Sequence, residues 1–431
     1  MSPTSGATAH VTHLVCLVCG RRFAPEEVEY LCPEHGDDGI LDVVYDHERI
    51  ATELSPATLA HDPDRSMWRY RPLLPVSPAA DLPPLRVGWT PLYAAPRLGA
   101  ELGLERLWVK DEGMQPTGSL KDRASAVAVV KARERGAAVV TTASTGNAAA
   151  ALAGLAASVD QAATILVPAS APEAKVAQLL AYGATVLLVE GTYDDAFALS
   201  MRAAERFGWY VRNTGVNPYM SEGKKTAALE IAEQLDWHVP DVVVVGVGDG
   251  CIIGGLHKGF RDLVALGWTD RVPRLLGVQA SGSDYLVQAW ERDEDVVTKP
   301  AIAASTVADS ICAGLPRDRI KALRAVQDSD GAFVRVGDDA ILAAIPALAR
   351  GCGVFAEPAA AAAYAGLRVA VSRGLVHRDD AVVVLATGTG LKDVPAAMRA
   401  TGAAGIEARR VTPELEAVAR ALDLDRTVGR K

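Results

Sequence analysis

Lys110-Asp111-Glu112-Gly113-Met114-Gln115-Pro116-Thr117-Gly118-Ser119-Leu120-Lys121-Asp122-Arg123 reads as the end of a strand, a Pro/Gly turn and the opening of a helix at Lys121. A lysine at a helix N-terminus faces the positive end of the helix dipole, which disfavours its protonated form. Partial burial lowers its pKa further, and both effects suit an amine that acts as a nucleophile. Taken alone, the stretch reads more simply as a loop with a solvated surface lysine.

Three more turns of the same kind follow strand candidates. Thr142-Ala143-Ser144-Thr145-Gly146-Asn147-Ala148 combines free backbone N–H groups with two hydroxyls, a cradle suited to a carboxylate, although a Ser/Thr/Asn helix cap has the same composition. Val245-Gly246-Val247-Gly248-Asp249-Gly250-Cys251-Ile252-Ile253-Gly254-Gly255 places a Gly-rich turn between a buried strand and a helix, an arrangement that binds phosphate. It makes a poor dinucleotide fingerprint, because it does not open the chain's first βαβ unit. Ala386-Thr387-Gly388-Thr389-Gly390-Leu391-Lys392-Asp393 offers a neutral hydroxyl at Thr387, or a plain turn whose glycines supply φ > 0.

Around these turns, short β-branched runs alternate with Ala- and Leu-rich helical stretches. The pattern predicts strands at 137–142, 164–167, 186–189, 242–245, 275–279 and 382–385. It predicts helices at 121–135, 148–157, 172–182, 194–207, 222–235, 255–265 and 358–372. The runs at 242–245 and 382–385 are continuously apolar, as strands buried on both faces require. This is an open α/β fold, whose ligands sit beyond the carboxyl ends of the strands. Residues 51–88, with seven prolines, read as an irregular linker, and 412–422 as a short amphipathic tail helix.

Three of the six cysteines fall early, as Cys16-x2-Cys19-x12-Cys32-x2-His35. Two short chelating pairs suit tetrahedral Zn²⁺ in a structural role, with His10 and His13 as alternative ligands. A remnant ribbon that folds without metal has the same outline. Cys251, Cys312 and Cys352 are scattered and read as small buried apolar residues.

The chain has 431 residues, 23% of them charged, and a formal net charge of −9. That balance argues against a nucleic-acid partner. No apolar run approaches the ~20 residues of a membrane span. Met1-Ser2-Pro3-Thr4-Ser5 does not open a secretory signal. A soluble, cytoplasmic protein is expected.

Together the four turns resemble those of threonine synthases, within the second fold class of pyridoxal-phosphate enzymes, the tryptophan synthase β-like group. Further matching stretches are Asn217-Pro218-Tyr219, Gly223-Lys224-Lys225-Thr226, Asp309-Ser310-Ile311 and Glu357-Pro358-Ala359, in family order over about residues 86–400. The resemblance implies two open α/β subdomains with a zinc-ribbon-like segment at 1–50, a linker at 51–88, a catalytic domain at 89–400 whose smaller subdomain is about 121–215, and a tail at 401–431. It implies pyridoxal phosphate in Schiff-base linkage to Lys121, and Asn147 on the cofactor's phenolic oxygen. Gly248, Asp249, Gly250, Cys251 and Ile252 would lie around its phosphate, and Thr387 at its pyridine nitrogen. Ser144, Thr145 and Asn147 would hold the substrate carboxylate, with Lys121 as the base that moves protons at Cα and Cβ. A dianionic substrate phosphate should want Lys224, Lys225 or Arg123. The expected substrate is O-phospho-L-homoserine and the expected assembly a homodimer. Threonine dehydratase, diaminopropionate ammonia-lyase, cysteate synthase and a non-catalytic binding protein share the outline. The chain departs from the usual pattern at Gln115, Leu120, Asp249, Ile252 and Thr389, positions expected to line the substrate side.

Overall fold

The computed structural model describes residues 10–171 and 173–422. The chain builds three sheets. A small antiparallel sheet orders Arg22–Phe23, Val11–Cys16 and Leu41–Tyr45. A six-stranded sheet runs Ala332–Val336, Arg274–Ala280, Val242–Gly246, Ala381–Ala386, Arg106–Asp111, Leu92–Ala94. It is parallel throughout except for its last strand. A four-stranded, wholly parallel sheet runs Thr185–Val189, Ala162–Pro168, Val139–Ala143, Tyr210–Val211.

The continuous apolar runs are the centre of the larger sheet: Val242, Val243, Val244 and Val245 are fully buried beside Val382, Val383 and Val384. Such strands must be covered on both faces. Helices Pro358–Ser372, Cys251–Ala265 and Tyr219–Gln234 supply much of that cover. Strand Arg106–Asp111 carries three charged residues in six and has no clean apolar period, yet it lies inside the sheet. Its Lys110 is fully buried because Glu230 accepts from its ammonium at 2.8 Å and Gln234 at 2.9 Å. Helix Asp338–Cys352, interrupted in sequence by Pro346, and strand Ala332–Val336 are further elements the periodicity did not mark.

The Pro-rich stretch is more ordered than its composition predicts. It holds helix Pro56–Ala60, opened by a Ser55 capping box, and a 3-10 stretch at Met67–Leu73 that buries Met67, Trp68 and Tyr70. Pro56 stands at a helix start, Pro72 lies inside the 3-10 stretch, and the other five fall in the loops between, where a missing N–H costs little. The tail helix spans Leu415–Ala421.

Helices Lys121–Glu134 and Tyr219–Gln234 cross closely at Gly223, where a Cβ would stand 2.2 Å from the Arg123 carbonyl oxygen. Four buried charges lock this crossing. Arg123 donates to Glu112 at 2.7 Å and to Glu230 at 2.6 and 2.7 Å, and Glu230 also takes Lys110. The crossing fixes where Lys121 begins its helix.

Candidate active site

Lys121 is the first residue of its helix, and the turn before it is fastened on two sides. Thr117 N–H donates to Asp122 Oδ2 at 2.7 Å, while Leu120 N–H donates to the Thr387 carbonyl at 2.9 Å. Thr389 N–H reaches back to the Gly118 carbonyl at 3.0 Å. The first and fourth turns of the sequence therefore meet. Burial, followed by the positive fields of Lys224 and Arg212, pulls the Lys121 amine down to about 8. A neutral fraction near pH 7 far above that of an ordinary lysine is what a nucleophilic or basic amine needs.

Lys121 shares a small pocket with Thr214, Ser310 and the Gly-rich turn. That turn follows strand Val242–Gly246 and feeds helix Cys251–Ala265, whose first N–H groups have no intrahelical partner. Gly250 has φ +94, and a Cβ there would lie 2.8 Å from the Asp318 carbonyl oxygen, so only glycine closes the turn. Arg212 is buried beside it. Its Nε donates to Ser125 at 3.2 Å and its Nη1 to Thr214 at 3.3 Å, while Nη2 has no partner. Lys224 reaches Thr214 at 3.4 Å and the Cys251 sulfur. Asp249 turns aside, its carboxylate accepting from the Arg317 N–H at 3.2 Å. An orphaned guanidinium N–H, two lysines and a helix N-terminus fit a phosphate ester at this turn. Pyridoxal phosphate fits the residues present.

Next to it is a cavity of about 170 Å3, lined by Thr145, Asn147, Lys175, Glu357 and Lys392 among others. Asn147, at the head of helix Asn147–Ala157, donates to both Glu357 oxygens at 2.9 and 3.0 Å. Glu357 is buried, which raises its carboxyl pKa, and its N–H donates to the Gly388 carbonyl at 3.0 Å. Ser144 stands one step behind the cavity wall, where its Oγ accepts from Gly146 N–H at 3.2 Å.

Lys225 does not reach this cavity, a correction to its expected substrate role. Its ammonium is fully buried between Glu222 at 2.7 Å and Asp262 at 2.6 Å, under the Tyr45 ring. Arg123 is likewise spent on Glu112 and Glu230. Gln115 is not on the substrate side either: its amide accepts from Gly88 N–H and donates to Glu112, both at 2.9 Å. Leu120 is fully buried. Glu357 and Lys392 stood in matched stretches without a role, and Lys175 and Arg212 carried no sequence signal at all.

In the N-terminal segment, the ligand atoms of Cys16, Cys19, Cys32 and His35 all lie within 4.8 Å of one another. His10 instead pairs with Glu53 at 3.1 Å, and His13 with Thr12 at 2.9 Å.

Residues 84–388 match the family model described as pyridoxal-phosphate dependent enzyme. A curated relative from Methanosarcina acetivorans named threonine synthase is 42% identical over 382 residues, 88% of this chain and 92% of its own. One of the same name from Methanocaldococcus jannaschii is 39% identical, over 90% of this chain and 94% of its own. Among solved structures, a fungal L-serine ammonia-lyase from Rhizomucor miehei superposes with a TM-score of 0.62 at 22% identity, covering 73% of this chain and 97% of its own. A processed threonine deaminase isoform from Solanum lycopersicum gives 0.62 at 24%, covering 74% and 88%. The family match over residues 84–388 and these likenesses agree with the α/β architecture, and this chain belongs to the pyridoxal-phosphate dependent enzymes of fold type II.

Proposed function

We propose that the protein is a threonine synthase, converting O-phospho-L-homoserine and water to L-threonine and phosphate. The observation that carries this reading is the pair of relatives of that name, 42% and 39% identical over nearly nine-tenths of the chain. The position of Gln115, behind the lysine turn rather than in the cavity, supports it, since that departure leaves the cavity wall unchanged.

When bound, pyridoxal phosphate supplies an electron sink for charge left at the substrate Cα. The chain's residues do the rest. Gly248, Asp249, Gly250, Cys251 and Ile252 offer the phosphate their backbone, with Lys224 and Arg212 adding charge. Asn147, steadied by Glu357, orients the ring's oxygen side, and Thr387 presents an uncharged hydroxyl to its nitrogen. Thr145 and Asn147, backed by Ser144, hold the substrate carboxylate. Lys121 Nζ takes the Cα proton, gives it up, and then takes a Cβ proton. The γ C–O bond breaks with its electron pair leaving on phosphate, Cγ gains a proton, the hydroxyl of water adds at Cβ, and a proton returns to Cα.

Four finer readings accompany this one. Cys16, Cys19, Cys32 and His35 hold one structural Zn²⁺, a reading supported by the convergence of their ligand atoms. The divisions are a ribbon at 1–50, a wrapping segment at 51–88, a catalytic domain at 89–400 with its smaller part about 121–215, and a tail at 401–431, of which 423–431 lie outside the described residues. The enzyme works as a homodimer in the cytoplasm on a small amino acid. Nucleic acid and membrane are not its partners, in keeping with a net charge of −9 and no described helix long and apolar enough to cross a bilayer.

The test is product identification. Purified holoenzyme given O-phospho-L-homoserine should release phosphate and threonine in equal amounts. Release of ammonia from threonine or diaminopropionate, with no phosphate from phosphohomoserine, would replace the synthase with a lyase.

A further inference from the structure

The Gly-rich turn has a backing, and that backing is itself held by the N-terminal segment. Helix Arg319–Asp328 begins against the turn. Asp318 N–H donates to the Asp249 carbonyl at 2.7 Å, and Arg317 N–H to the Asp249 carboxylate at 3.2 Å. The fit leaves no slack. A Cβ on Gly250 would stand 2.8 Å from both the Asp318 carbonyl oxygen and the Ala322 Cβ, and one on Gly254 would stand 2.8 Å from the Lys321 Cβ. Where this helix starts therefore decides where the turn lies.

Three long side chains of the same helix reach the N-terminal segment. Arg319 donates to the Asp38 carboxylate, Lys321 Nζ lies 3.8 Å from Asp42, and Arg324 donates to the Leu17 carbonyl at 2.6 Å. Arg319 and Lys321 are buried. Arg319 has two other acceptors, the carbonyls of Val296 at 2.7 Å and Pro316 at 3.2 Å, so among the described residues Asp38 is the one anion paired with it. Lys321 Nζ also donates to Ser221 Oγ at 3.3 Å, and that hydroxyl lies 3.6 Å from the Cys251 sulfur. Backbone and side chains thus lead from Asp38 and Asp42 to the same turn by separate routes.

We propose that Asp38 and Asp42 are positioning residues of the cofactor site: they hold the start of helix Arg319–Asp328 and, through it, the turn at Asp249, Gly250 and Cys251 that takes the cofactor's phosphate. The proposal rests on the reading of that turn as the phosphate cradle, and it gives the N-terminal segment a task beyond stability. A cradle built of backbone N–H groups has no side chain to adjust. Its donors must arrive within about 0.5 Å of their place, so it depends on whatever fixes the backbone behind it. Removing either carboxylate leaves a buried cation short of its partner, and the helix start relaxes toward other acceptors. The N-terminal segment also touches the smaller sheet and the helix of Lys121, where Tyr30 Oη accepts from Val211 N–H at 2.9 Å and Glu29 pairs with Arg135 at 2.8 Å. Those contacts hold the segment without involving helix Arg319–Asp328, and they supply the control.

The experiment titrates full-length apoprotein with pyridoxal phosphate and with pyridoxal, which keeps the aldehyde for Lys121 and lacks the phosphate. Asp38→Asn and Asp42→Asn should each raise the dissociation constant for pyridoxal phosphate about threefold to tenfold and that for pyridoxal less than about twofold, with the absorbance at saturation unchanged. Glu29→Gln and Tyr30→Phe should lower the melting temperature and leave both constants in place. Asp38→Glu should recover most of the loss. If Asp38→Asn does not fold, Asp42→Asn, which gives up only a 3.8 Å contact, decides alone. Unchanged affinity for pyridoxal phosphate in the aspartate variants, or an equal loss in the Glu29 and Tyr30 variants, overturns the positioning role and leaves the segment purely structural. An unmodified apoprotein that binds pyridoxal as tightly as pyridoxal phosphate overturns the cradle itself, and the positioning role with it.

Discussion

Lys224 and Lys225 are neighbours in sequence and do unrelated work in the fold. About 100° separates consecutive residues around a helix, so one lysine faces the Gly-rich turn and the other a buried acid pair. No motif spacing distinguishes them, because the choice is made by which helix face meets which neighbour. Lys121 and Asn147 were legible for the opposite reason: each opens a helix after a strand, where only one direction is available. Glu357 was quoted with its motif, yet its role depends on meeting Asn147 from 210 residues away. The Lys121 amine yields a test at this scale. Its pKa of about 8 means that the neutral, reactive form grows as pH rises through 8 rather than through 10.5. Apoprotein mixed with pyridoxal phosphate should therefore gain its bound-cofactor absorbance faster as pH rises, with the rate levelling off above about pH 9. A rate still climbing steeply at pH 10 would contradict the depressed amine. Lys121→Ala should lose both the covalent adduct and turnover while keeping the fold.

Among elements, the strands buried on both faces were plain in the sequence because nothing but an apolar run can fill the middle of a covered sheet. Strand Arg106–Asp111 was hidden, since its Lys110 is buried through a charge network assembled from three separate segments. That network ties the helix of Lys121 to the helix of Glu230. Removing one partner of a buried ion pair leaves an uncompensated charge, at a cost of about 3–5 kcal/mol. Arg123→Met should thus lower stability by about that amount in chemical denaturation, since Glu112 and Glu230 lose their shared cation. The pH dependence has a definite sign. Arg123 and Lys110 hold Glu230 at about 2, below its ordinary 4.5, despite a burial penalty that acts the other way. Its stabilisation is complete above 4.5 and drains away as pH falls toward 2. Glu230→Gln should flatten that part of the acid-stability profile, and an unchanged slope would assign acid sensitivity elsewhere.

For the molecule as a whole, the N-terminal ribbon is seated on the body through polar contacts. Tyr45 donates to Glu222 at 2.8 Å, His47 pairs with Asp262 at 3.1 Å, and Asp38 takes Arg319. The Cys/His spacing marked the four residues whose ligand atoms converge, but the segment's docking partners were invisible, being single charges scattered along the body. If zinc holds the ribbon's two knuckles together, elemental analysis should find one Zn²⁺ per chain. Deleting residues 1–50 should then lower the melting temperature far more than it alters the cofactor's spectrum, because it uncovers Glu222, Lys225 and Asp262. Well under one equivalent of zinc in intact protein would leave a metal-free ribbon.

The larger cavity has a property that follows from its own lining. Asn147 with Glu357, Lys175 with Asp309 and Lys392 with Gln178 are contacts that the two walls make with each other. The groups that line this cavity are already occupied by one another, so the cavity is held shut by exchangeable contacts rather than left as open space, and anything that enters it would trade contacts with the protein's own acids and amides.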